Sequence, residues 1–166
     1  IGTSFCESLQ KAISALEVGL DGIEDSKIIN YSEERLRKGL ALQTPDRIFM
    51  IGEALRREID ISDIAEITGY DKWFLDQINS IIKAEKHLIE HGIPKNAQIL
   101  QNLKAKGFTD KRLAKLTGCK ERDIYSMRKH LSVMPVFKRV DTCAAEFKSS
   151  TPYMYSTYKV NISNPP

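Results

Sequence analysis

The chain is poor in the features that most quickly betray a biochemical role. Cysteine is scarce: Cys6, Cys119 and Cys143 are the only three in 166 residues. An odd number at such wide spacing is not a disulfide framework. No pair has the short spacing of a zinc site, and the usage fits a reducing, cytoplasmic compartment. Long apolar runs are missing, the longest being a few residues such as Ile48-Phe49-Met50-Ile51. None approaches the roughly 20 residues of a membrane helix, so no membrane is expected. Ile1 to Phe5 lacks the basic start and apolar stretch of a secretory signal. The nine glycines stand singly. Neither G-x-x-x-x-G-K-[ST] nor G-x-G-x-x-G occurs, so the loops that cradle ATP or a dinucleotide are lacking.

What is present is 42% hydrophobic and 28% charged, a soluble globular mixture. A chain of this size buries about two-thirds of its unfolded surface. It opens on Ile1 and closes on Asn164-Pro165-Pro166, and so reads as a piece of something longer. The net charge of +3 hides an uneven distribution. Residues 1–94 carry 11 Lys/Arg against 17 Asp/Glu, whereas residues 95–130 carry 10 against 3. An acidic front and a basic centre raise the question of an acidic or nucleic-acid partner. The alternative is two solvated helical surfaces of opposite sign.

The spacing predicts an all-α fold with an extended, aromatic-rich C-terminal tail. Ser4 and Glu7 form the S-x-x-E capping box. Phe5, Leu9, Ile13 and Leu16 follow at helical spacing up to Gly19. Asp21 to Asn30 reads as loop and Ser32 to Leu40 as a short helix with Leu36 and Leu40 on one side. Thr44 is the expected N-cap of the next helix, with Pro45 at its first position and Ile48, Ile51, Leu55 and Ile59 as its stripe. Ile61 to Thr68 ends at Gly69. Asp71 opens a long helix striped by Phe74, Ile78, Ile81, Ile82, Leu88 and Ile89, closed by Gly92. Pro94 suggests a boundary between helical halves 1–93 and 94–134. Asn96 caps a helix with Ile99, Leu100 and Leu103 inward, Thr109 caps another ending at Gly118, and residues 120–131 form the last. Residues 135–166 form the tail, with one or two short strands. Its aromatics call for another surface to lie on.

One internal repeat is visible. Ile64-Ala65-Glu66-Ile67-Thr68-Gly69 matches Leu113-Ala114-Lys115-Leu116-Thr117-Gly118 at an offset of 49. Each copy places a short helix, a glycine turn and a further helix in succession.

Three patterns could carry chemistry. Residues 109–129 resemble a helix-turn-helix unit, with Ala114, Gly118 and Ile124 at the small, turn and anchor positions. Glu121 and Asp123 oppose it, because both would face phosphates, and helices joined by a glycine turn are commonly just a packed corner. His87 and His91 stand four apart on one helical face, a spacing that can hold a metal, but no third ligand is placed. His130 stands alone. Cys143 lies among small residues with no histidine near in sequence, which suits a packed thiol better than a nucleophile. Asp141 and Glu146 beside it could form an acid pair or balance Lys138 and Arg139.

Longer strings point to a family. Glu7-Ser8-Leu9-Gln10-Lys11-Ala12, Asp71-Lys72-Trp73-Phe74-Leu75 and Arg112-Leu113-Ala114-Lys115-Leu116 carry part of the likeness. Most of it lies in Val136-Phe137-Lys138-Arg139-Val140-Asp141-Thr142-Cys143-Ala144-Ala145-Glu146-Phe147 and Tyr153-Met154-Tyr155-Ser156-Thr157-Tyr158. These resemble the large chain of carbamoyl-phosphate synthetase, from end to end, in its helical oligomerization domain. Leu20 to Tyr31 and Lys38 to Gln43 match that pattern weakly. The resemblance implies a non-catalytic connector between two ATP-grasp halves. The enzyme carrying it would make carbamoyl phosphate from bicarbonate, glutamine-derived ammonia and two ATP, for arginine and pyrimidine synthesis. It implies that ATP and divalent metal are bound in the other domains and that a small glutaminase subunit is a partner. No catalytic, cofactor or metal residue carries over onto this chain, and no nucleic acid is expected. Self-association is expected through Leu36 and Leu40, which a small core explains poorly. On that reading Leu36→Glu weakens association and leaves helicity intact. Phe137, Phe147, Tyr153, Tyr155 and Tyr158 are expected to pack on the following synthetase half.

Overall fold

A computed structural model describes residues 1–17, 19–141, 146–147 and 152–159. Among them are helices α1 (Phe5–Ala15), α2 (Glu33–Ala41), α3 (Arg47–Arg56), α4 (Ile61–Thr68), α5 (Lys72–His91), α6 (Ala97–Ala105), α7 (Asp110–Thr117) and α8 (Glu121–His130). A single 3₁₀ turn, Ile28–Asn30, interrupts the loop before α2. Strands β1 (Val136–Arg139) and β2 (Met154–Thr157) pair antiparallel, with Val136 opposite Thr157 and Arg139 opposite Met154.

Local chemistry sets most helix ends. Ser32, Asp60, Asp71, Asn96 and Thr109 each accept a backbone N–H of the first turn. Gly69 and Gly118 close α4 and α7 in the left-handed conformation. Two starts differ from expectation. Ser4 Oγ accepts the Glu7 N–H, but the Glu7 carboxylate turns outward to Thr3, taking its N–H at 2.7 Å and its hydroxyl at 2.8 Å. The helix expected from Thr44 begins at Arg47, because the Arg47 N–H bonds the Thr44 carbonyl at 3.1 Å and leaves Pro45 in a preceding turn.

The long α5 is the central element, packing against α1, α3, α4 and α7. Its buried stripe is Leu75, Ile78, Ile81, Ile82, Glu85 and Leu88. Phe74 and Ile89, read as part of that stripe, are exposed, as are Leu16 and Ile99. Leu36 and Leu40 are the converse correction: both are fully enclosed. They belong to the one buried cluster that joins α1 to α8, with α2 packed on α3 and α4. These two leucines therefore offer a second molecule no surface, and the core accounts for them.

The repeat extends well beyond six residues. At an offset of 49, α3 matches α6, α4 matches α7 and the start of α5 matches α8. Buried positions coincide: Ile51 with Leu100, Ala54 with Leu103, Ile64 with Leu113, Leu75 with Ile124. So do hydrogen bonds. Ile59 N–H bonds the Ala54 carbonyl as Phe108 N–H bonds that of Leu103, and the Thr68 and Thr117 hydroxyls bond the Ile64 and Leu113 carbonyls. Even the left-handed corner after the first helix recurs, at Glu58 (φ 61°) and Gly107 (φ 99°). Gly107 is required twice over. A side chain there would be strained by the positive φ and would meet the Glu7 backbone at 3.1 Å.

Candidate association surface

Charge organises the interior before any surface is considered. Arg112 of α7 is 1% exposed and bonds Glu85 of α5 through Nε at 2.9 Å and Nη2 at 2.6 Å. Arg56 of α3 reaches the other Glu85 oxygen at 2.8 Å and also the Ile23 carbonyl. Glu24, in the loop before α2, pairs with Arg112 at 3.0 Å and Lys115 at 2.8 Å. Lys111 pairs with Asp21 at 2.7 Å. Burial raises the pKa of Glu24, but Lys115 and Arg112 outweigh it and hold the carboxyl at about 2. The Arg112 pKa also moves up, since Glu85 and Glu24 overcome its desolvation.

These pairs join three acids of residues 1–94, Asp21, Glu24 and Glu85, to bases of residues 95–130, with Arg112–Glu85 buried and the Lys111 and Lys115 pairs at the surface. A second cluster is internal to the basic stretch. Asp110 takes Lys104 at 2.8 Å and Arg128 at 2.9 Å. Lys104, Arg112 and Arg128 are thus spent in buried pairs, while Lys111, Lys115, Lys120, Arg122 and Lys129 are exposed. Glu121 and Asp123 stand exposed at the start of α8. The α7–α8 unit is a packed corner.

Among the described residues, aromatic surface gathers at the start of α5 and on the hairpin. At the start of α5, Trp73 and Phe74 flank Phe5 of α1, with ring centroids 5.8, 5.2 and 4.9 Å apart in edge-on geometry. Trp73 is 53% exposed and Phe74 43%. Phe5 is half-buried against the core, whereas Phe74, expected in the α5 stripe, is exposed, because helical spacing alone does not say which side of a stripe has a neighbour.

The second place is the hairpin, whose two faces differ. Val136, Lys138, Tyr155 and Thr157 turn toward the helices, while Phe137, Arg139, Met154 and Ser156 turn away. Thr157 is buried, and the neighbouring Ser156 carbonyl accepts Lys11 Nζ at 2.6 Å. Tyr155 lies 5.7 Å under Lys11. Tyr158, just past β2, sits between Lys104 and Arg128, 5.0 and 5.5 Å from its ring, and Gln101 donates to its carbonyl. Burial, against the pull of Arg128, pushes its phenol pKa up. Of the five tail aromatics singled out in the sequence, Tyr155 and Tyr158 therefore contact this chain's own helices. Phe137, Phe147 and Tyr153 stay exposed.

His87 and His91 stack at 4.3 Å on the surface of α5, and no group of three metal-ligating side chains occurs among the described residues. Cys143 lies outside the described residues. No helix among the described residues is long and apolar enough to cross a membrane.

Comparison with known proteins agrees with this arrangement. Residues 1–132 match the family model described as carbamoyl-phosphate synthetase large chain, oligomerisation domain. The carbamoyl phosphate synthase large chain of Brucella melitensis is 45% identical over the whole of this chain, which covers 15% of that protein. That of Rhizobium meliloti is 43% identical over 96% of this chain and 14% of the relative. That of Buchnera aphidicola is 44% identical over the whole chain and 16% of the relative. The chain thus spans about a seventh of the length of the curated relatives it matches. The chain, a mostly helical body with a small hairpin, belongs to the family of carbamoyl-phosphate synthetase large-chain oligomerisation domains.

Proposed function

We propose that this chain is a non-catalytic connector and association domain within a large chain that synthesises carbamoyl phosphate. In that enzyme bicarbonate, ammonia from glutamine and two ATP yield carbamoyl phosphate for arginine and pyrimidine synthesis in the cytoplasm. ATP and divalent metal are held by the flanking ATP-grasp halves, and a small glutaminase subunit supplies ammonia. The helical body, 1–134 with halves 1–93 and 94–134, fixes those halves. The tail, 135–166, leads into the following one and offers it Phe137, Phe147 and Tyr153.

The observation that carries this reading is the match of the whole chain, at 45% identity, to a large chain nearly seven times longer. Self-association uses the Trp73 and Phe74 rings, which are exposed together beside the half-buried Phe5 and which the core does not need. Two measurements test the proposal. The 166-residue chain is expected to show no bicarbonate-dependent ATP turnover, while the full-length large chain shows it; turnover by the short chain overturns the connector role. Trp73→Glu is expected to lower the mass of the full-length assembly in light scattering, and an unchanged mass removes this surface from the interface.

A further inference from the structure

Between the end of α3, the start of α4 and the flank of α5 lies a groove of about 600 Å³. Its floor is apolar, from Leu55 and Ile82, themselves buried in the core, and Ile59, Ile61 and Ile89, while Asn79 and a charged rim that includes Arg56, Glu58, Lys83, Lys86 and Glu90 border it. The internal repeat supplies a second version of the same place. Adding 49 takes Leu55, Ile61 and Asn79 to Lys104, Asp110 and Arg128. Those three are the residues that surround Tyr158. In the second unit the helix stops at His130, the chain turns into β1, and β1 brings in β2 and with it Tyr158. In the first unit α5 continues to His91, and among the described residues no strand enters the groove.

We infer that the groove of the first unit is a docking site for an extended segment bearing one large apolar side chain, supplied by the large chain outside these residues. Its chemistry differs from that of the second unit in the way that occupant requires. Lys104, Asp110 and Arg128 suit a phenol, which has a polar tip. Leu55, Ile61 and Ile82 suit a phenylalanine or leucine, which has none. Ile89, 65% exposed on the central helix, lies at its edge. The source of the segment follows from size: most of each relative's length lies outside the part this chain matches. The inference rests on the reading of the chain as part of such a large chain, but not on what that enzyme synthesises.

The test places a thiol at the rim and reads how fast it is labelled. Ile89→Cys is made in the 166-residue chain and in the full-length large chain. N-ethylmaleimide modification at position 89 is followed by peptide mass, so the native cysteines do not interfere. Labelling is expected to be about tenfold or more slower in the full-length chain, as for a site reached only by local opening. Ile61→Asp and, separately, Asn79→Arg give the groove the side chains of the second unit. Each is expected to restore fast labelling in the full-length chain while circular dichroism stays unchanged. Equal rates in the two chains overturn the proposal. So does protection of the short chain that grows with its concentration, which would make the occupant a second copy. Protection that survives both substitutions overturns the apolar recognition. Because labelling reads only coverage, loss of carbamoyl phosphate synthesis would leave the result interpretable.

Discussion

Arg112 is where the charged interior converges. It is enclosed, donates to Glu85 and pairs with Glu24, and its Cδ and guanidinium lie against the space over Gly22. A buried pair adds little net stability over an apolar replacement, but removing one partner strands the other. Arg112→Ala is expected to cost about 3–5 kcal/mol in urea unfolding, and a cycle with Glu85→Gln should show strong coupling. Glu24 makes a pH prediction. Its carboxyl is held at about 2 against an ordinary 4.5, so the unfolded chain takes up the proton first as pH falls. The stabilisation is complete above pH 4.5 and is lost between about 4.5 and 2, worth at most about 3 kcal/mol. Glu24→Gln should flatten thermal stability across that window. Gly107→Ala should destabilise by about 2 kcal/mol or more, from left-handed strain plus the clash with Glu7. Glu58→Gly, at the equivalent corner, is expected to leave the urea midpoint close to the parent's, relief of strain offsetting loss of the exposed Lys86 pair. Leu36→Glu now carries a different expectation from the sequence-based one: a carboxylate driven into the core should unfold the domain, seen as lost helicity.

At the scale of elements, the parts legible in the sequence are those whose cause is local. Asp60 with Gly69, Asp71 with Gly92, and Thr109 with Gly118 carry their stop and start chemistry within a few residues, and the helices fall where those signals stand. What could not be read depends on partners far along the chain. The inward or outward choice at Phe74, Ile89 and Ile99 is made by which helix lies opposite. Leu36 and Leu40 looked surplus because the α3 and α4 surfaces that cover them have no local mark. The hairpin belongs to the same class. Its strands could be guessed from composition, but Tyr158 finds Lys104 and Arg128 across a distance no periodicity reports. Tyr158→Ala is expected to cost about 2–4 kcal/mol in the stability of the β1–β2 docking, with faster amide exchange at Val140 and Thr157 and little change in α1 to α5. Uniform acceleration throughout the chain would show that the hairpin is not a separate opening unit.

For the whole molecule, opposite charge along the sequence is an internal adhesive rather than an advertisement to a partner. Four ion pairs, Arg112 with Glu24 and Glu85, Lys111 with Asp21, and Lys115 with Glu24, tie residues before position 94 to residues after it. Since α5 also packs on α7, the two repeat units should unfold in one transition despite their shared pattern. Coincident urea curves from Trp73 fluorescence and far-ultraviolet circular dichroism are expected; separated curves would mean that the units stand alone. The composition was accurate about class and silent about this pairing, because charge counts carry no addresses.

The unlike chemistry of the two grooves has a consequence for the order of synthesis. Tyr158 leaves the ribosome after all eight helices, so the groove it fills must stand open while the chain is still growing. Lys104, Asp110 and Arg128 hydrate well and can wait in water without attracting other nascent chains. Ile59, Ile61 and Ile89, the apolar groove residues that keep exposed surface, cannot wait so safely. A newly made copy lacking whatever covers them carries its aggregation hazard on the first unit, while the late-closing second unit stays harmless.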